Sequence, residues 1–131
     1  MRWIAAQNGR SGPDYVKPAP VQALAAIAAA ASGQESVALQ AAAALYEHGT
    51  LSGPLAELAG EPVRVVVFED SSGGIRATRG AVALLQDAGL SAICYGVGIS
   101  PHEGKRAALE AVADIIVDDV NAGLEMVWSQ A

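Results

Sequence analysis

Val63-Arg64-Val65-Val66-Val67-Phe68-Glu69-Asp70-Ser71-Ser72-Gly73-Gly74-Ile75 is the stretch that decides the fold. Apart from Arg64, its first six residues are β-branched or aromatic, the composition of a strand buried on both faces. Residues 69–74 form a polar, Gly-rich turn. Beyond it Ile75, Val82, Leu84, Leu85 and Ala88 describe an amphipathic helix that ends at Gly89. Strand, tight turn and helix in that order open a βαβ unit.

The chain downstream repeats the pattern. Ser91 to Gly96 predicts a second strand, and Pro101 to Val112 a helix with Leu109 and Val112 inward and Lys105, Arg106 and Glu110 outward. Asp114 to Val117 predicts a short third strand, and Ala122 to Trp128 a closing helix. Right-handed crossovers then place helices on both faces of the sheet.

Upstream, the texture is helical. Pro20 suits a first helical turn, where its missing N–H costs nothing. Leu24, Ile27, Ala28 and Ala31 follow at helical spacing, and Ser32-Gly33 supplies a stop. A second helix is expected from Ser36 to Gly49 and a short third one within Leu51 to Gly60. The expected organisation is a lead-in loop over 1–20, a helical segment over 21–60 and an α/β segment over 61–131. The fold class is α/β: a partial Rossmann-like parallel sheet of about three strands, with flanking helices and a helical N-terminal portion.

Composition narrows the function. Of 131 residues 52% are hydrophobic and only 17% charged, which excludes an ordinary disordered chain. Much of the apolar share is alanine, so the core is thin. A formal charge of −6 argues against duplex DNA or an anionic membrane surface as a partner. The longest apolar run, Ala23 to Ala31, is too short for a membrane span, and Met1-Arg2-Trp3-Ile4 does not begin a signal peptide. With one cysteine, Cys94, and no internal disulfide to form, the expected location is the cytoplasm.

Ligands of an open parallel sheet gather at the carboxyl ends of its strands. The first strand ends there on Glu69 and Asp70, a carboxylate pair suited to a hard cation such as Mg²⁺. Ser71, Ser72, Gly73 and Gly74 add hydroxyls and backbone N–H groups at a helix start, an anion-binding arrangement. The two features are compatible only with a bridging cation, since the carboxylates repel a bare phosphate. A simpler role stands beside this one: Asp70 or Ser71 caps the helix.

Val65 through Ala77 resembles the fourth motif of the haloacid dehalogenase-like phosphohydrolases. In the group containing β-phosphoglucomutase and phosphoglycolate phosphatase, that motif is an apolar strand followed by E-D-S-x-x-G-I-x-A. Tyr15-Val16-Lys17-Pro18-Ala19-Pro20 resembles the third motif, K-P-x-P opening a helix. Ala113 to Asp119 resembles the strand and acidic turn near the end of such domains.

The resemblance implies that Asp70 ligates Mg²⁺ directly and that Glu69 supports the metal, often through water. It implies that Ser71, Gly73 and Gly74 lie on the phosphate side. Lys17 would balance charge on the transferring phosphoryl group and position the nucleophile. Bare spacing gives Lys17 no role beyond that of a solvated lysine.

The departures are as informative. The family's nucleophile and general acid lie in D-x-D-x-T/V after an N-terminal strand, and no such stretch occurs here. A strand ending in Ser or Thr, the second motif, is also missing, and Lys17 lies farther from Glu69 than the family's usual gap. The expectation is the C-terminal half of such a domain, inactive alone, acting on a small phosphorylated substrate only if completed. Without its neighbour, Val63–Phe68 becomes an exposed apolar edge that must pair with something. Self-association or a missing N-terminal half is therefore expected.

Two other readings stand beside it. One is a non-catalytic α/β interaction module that keeps the acidic rim as a relic. The other is a truncated response-regulator receiver, whose phosphoacceptor would be Asp118 or Asp119. Lesser candidates read as structural. His48 sits at a helix C-terminus, His102 near a helix start and Cys94 mid-strand as a small hydrophobe. Lys105-Arg106 reads as a solvated pair, and Asp118-Asp119 as a helix cap. Gly96-Val97-Gly98 is too short for a dinucleotide fingerprint.

Overall fold

A computed structural model of the chain describes residues 20–100 and 103–129. Helix α1, Pro20–Ser32, starts on the proline and ends where Ser32 Oγ donates to the Ala28 carbonyl at 2.8 Å. Gly33 follows at φ +72, the left-handed conformation that stops a helix. Helix α2, Glu35–His48, ends likewise at Gly49, whose φ is +66; the Gly49 N–H donates to the Leu45 carbonyl at 2.9 Å and the Thr50 N–H to the Ala44 carbonyl at 3.3 Å. The expected third helix is a single turn, α3, Gly53–Ala56.

The βαβαβ region follows as β1 (Val63–Glu69), α4 (Ser72–Asp87), β2 (Ala92–Ile99), α5 (Glu103–Glu110), β3 (Ile115–Val117) and α6 (Val120–Ser129). The three strands form one parallel sheet in the order β1-β2-β3. Val63 pairs with Ala92 and Glu69 with Gly98, while Val97 pairs with Ile115 and Ile99 with Val117. All three strands therefore end on one rim.

Close approaches at glycine show which helix covers which face. A Cβ at Gly96 would press on Ile75 and Arg79 of α4, and one at Gly98 on Leu109 of α5. A Cβ at Gly123 of α6 would lie 3.1 Å from both Phe68 and Val97, whose side chains point the other way. Helices α4 and α5 thus cover one face and α6 part of the other, leaving Ile93 58% exposed.

The helical segment is not a separate unit. Val21, Leu24 and Ala28 of α1, Ala38, Ala41 and Leu45 of α2, and Leu55 of α3 share one core with Ala81, Val82 and Leu85 of α4 and Ala92 of β2. Alanine at the contact lets α1, α2 and α4 pack at short range, and each buried leucine carries a large share of the apolar area.

Three expectations need correction. Val63–Phe68 is half-buried rather than buried on both faces, with Arg64 exposed, because β1 is the edge of the sheet. Cys94 is half-buried, not fully inside. Arg106 is not simply solvated: its Nη1 donates to the Ser100 carbonyl at 3.3 Å and to Asp118 Oδ1 at 3.2 Å, tying α5 to the rim. Lys17 and His102 lie outside the described residues.

Candidate functional site

The rim collects Glu69 and Asp70 from β1, Ser100 after β2, and Asp118 and Asp119 after β3. Most of these side chains have structural employment. Asp118 pairs with Arg106. Asp119 Oδ1 accepts from the Ala122 N–H at 2.8 Å, an N-cap for α6.

At the β1 end, Ser71 is the N-cap of α4: its extended backbone turns into the helix, and its Oγ accepts from the Gly74 N–H at 3.2 Å. The capping role weighed from the sequence thus belongs to Ser71. Glu69, half-buried, lays its carboxyl group against Gly74, so closely that a Cβ at Gly74 would overlap it. Its negative charge therefore lies at the positive end of the α4 dipole. Asp70 is exposed on the rim, and Gly73 has open space around its Cα.

Glu69, Asp70, Ser71, Gly73 and Gly74 are thus brought together at one turn. Among the described residues, no group of three or more His, Cys, Asp or Glu side chains could hold a metal ion. The donor set is two carboxylates, and Mg²⁺ suits such a set because it keeps several waters and takes one or two carboxylates plus substrate oxygens. Asp70 supplies the more accessible carboxylate and Glu69 one already turned toward the helix start.

The chain matches no protein-family model, no curated protein and no solved structure.

What remains is the topology. A receiver places its acid-bearing first strand inside the sheet, in the order 2-1-3-4-5. Here the acid-bearing strand is at the edge in the order β1-β2-β3, and Asp119 is spent as a helix cap. The receiver reading is withdrawn on those grounds. Sequential order is instead what one βαβαβ half of a doubly wound 3-2-1-4-5-6 sheet shows, and the halves meet through their first strands.

One polar cluster escaped the sequence reading. Arg79 of α4 donates through Nε and Nη2 to the Val112 carbonyl, at 3.1 and 2.7 Å, and through Nη2 to Asp114 Oδ2 at 2.9 Å. Asp114 also accepts from the Gly96 N–H at 2.6 Å. Burial pushes the Asp114 carboxyl up, but the Gly96 N–H and Arg79 outweigh it and hold it below the ordinary value. Burial raises the Cys94 thiol, with nearby Arg79 opposing and Asp114 adding to the rise. This cluster is a strut between α4, β2 and the loop before β3. Nothing in the local sequence around Arg79 signals it, because its partners lie more than thirty residues away.

Proposed function

We propose that the chain supplies the acid-pair half of a Mg²⁺-dependent phosphohydrolase site of the haloacid dehalogenase-like kind, inactive until a nucleophile-bearing strand completes it. One observation carries this reading: the Glu69-Asp70 pair ends an edge strand directly against the start of a capped helix. A parallel sheet's rim, two carboxylates and a helix N-terminus make a place where a metal-bridged phosphate is held.

In this reading Asp70 holds the metal directly, and Glu69 supports it from the helix side. Ser71, Gly73 and Gly74 form the turn that faces the phosphate. Lys17, matched by the K-P-x-P resemblance, neutralises charge on the transferring group. A bound Mg²⁺ would supply charge stabilisation for the phosphoryl group, the main demand of phosphoryl transfer. The attacking carboxylate must come from outside the stretches the resemblance covers, since no D-x-D-x-T/V motif is present.

Mg²⁺ titration of ¹⁵N-labelled protein tests the reading. Saturable shifts of the Asp70, Ser71 and Gly73 amides, lost in Asp70→Asn, are expected. No saturable shift up to tens of millimolar would overturn it. The acidic rim would then belong to a non-catalytic interaction module, a reading favoured by the engagement of Glu69 with the start of α4.

A further inference from the structure

Among the described residues, the outer edge of β1 carries main-chain groups that no strand pairs with, in a fixed pattern. Val63 donates its N–H to the Ser91 carbonyl at 2.7 Å, and β1 stays in parallel register with β2 to Glu69. Along a strand, successive residues aim their N–H and C=O to opposite sides. Val63, Val65, Val67 and Glu69 therefore bond to β2, and Arg64, Val66 and Phe68 present three N–H and three C=O groups outward. Among the described residues, no strand pairs with that side.

The edge is also roofed. A groove of about 720 Å³ runs along the whole of β1 beneath α1, with Ala23, Ile27 and Ala30 above and Leu58 alongside. Small side chains on the roof leave room for larger ones on whatever lies below. Glu69 lines the carboxyl end of the groove, with Asp70 just beyond it.

We propose that this groove binds an extended segment of another protein chain, which adds to the sheet as a strand next to β1. The segment presents large apolar residues to α1 at alternate positions and carries a net positive charge. Main-chain pairing supplies affinity, and side-chain pockets at every second residue supply selectivity, the usual division in strand addition. The positive charge follows from complementarity with a chain of formal charge −6. A second copy is a poorer occupant. Joining β1 to β1 would place two α1 helices, each about 10 Å across, over one pair of strands about 4.8 Å apart.

The inference does not depend on a metal at Asp70, so it is tested in EDTA. The probe is a blocked peptide, acetyl-Lys-Leu-Thr-Val-Thr-Leu-Lys-amide, titrated against ¹⁵N-labelled protein. Saturable binding is expected, with slowed hydrogen exchange at the Arg64, Val66 and Phe68 amides and little change at Val65 and Val67. The same peptide N-methylated at two adjacent central residues, so that neither edge is intact, should bind at least about tenfold more weakly. Val66→Pro removes the central outward N–H without touching the bonds to β2, and proline is tolerated on an edge strand. It should weaken the unmodified peptide by a similar factor.

Equal binding by the N-methylated peptide, or no exchange protection at the alternate amides, would overturn the proposal. So would a concentration-dependent dimer in sedimentation that Val66→Pro abolishes, since the occupant would then be a second copy. Because the N-methylated peptide leaves the protein unaltered, a folding defect in the variant cannot obscure the result.

Discussion

The Glu69 carboxyl group and the Cα of Gly74 are packed together, five residues apart, at the join of β1 and α4. The contact fixes the rotamer of one member of the acid pair and explains why a residue without a side chain stands at 74. It also puts negative charge on the first turn of the helix, where the exposed amide ends are.

A double-mutant cycle measures this contact. Gly74→Ala should push Glu69 off the helix start, offsetting the gain of about 1 kcal/mol in helix propensity. In a Glu69→Ala background the same substitution should be stabilising. A coupling of about 0.5–1.5 kcal/mol in urea denaturation is expected. Additive effects would mean that the two groups do not constrain each other.

The cap at Ser71 has its own signature. Ser71→Ala leaves the Gly74 N–H without its side-chain acceptor and should cost about 1 kcal/mol in urea denaturation. Ser71→Asp, which preserves an acceptor and adds charge at the helix start, should recover most of that loss at low ionic strength.

Acid should loosen the strut between Arg79 and Asp114. The Asp114 carboxyl lies below its ordinary value in the folded protein, so its contribution is present above the unfolded pKa and is lost as pH falls through the folded one. Wild-type stability should therefore decline below about pH 4. Asp114→Asn should flatten that part of the profile while lowering stability at pH 7. Two profiles that fall in parallel would assign the acid sensitivity to other carboxylates.

The helical segment and the sheet should unfold together. Leu24 in α1 and Leu85 in α4 are both fully buried in the shared core. Leu24→Ala should cost about 2–5 kcal/mol. It should shift the near-ultraviolet and far-ultraviolet transitions by the same amount. A variant in which the strand amides keep their protection while α1 and α2 exchange freely would show two independent units instead.

Much of this architecture was legible in the chain itself. The alternation of β-branched runs with amphipathic stretches gave three parallel strands and their crossover helices. Gly33 and Gly49 marked helix ends where positive φ is needed. The boundary errors have local causes. β2 continues past Gly96, the expected end, through Val97-Gly98-Ile99, where Gly96 and Gly98 let α4 and α5 approach the sheet. The third helix is one turn long: beyond Ala56 the N–H groups of Leu58 and Ala59 reach back only three residues, to the Leu55 and Ala56 carbonyls, and Gly60 follows at φ +95.

By itself the sequence determined the succession of strands and helices and the placement of Glu69-Asp70 between a strand and a helix start. Periodicity and turn chemistry act over a few residues and are written in order along the chain. Only the tertiary structure decided that α1 roofs the β1 edge, that Glu69 turns onto Gly74, and that Arg79 finds Val112 and Asp114. Those outcomes depend on which surfaces meet once the helices pack, and groups more than thirty residues apart leave no mark on each other's local sequence.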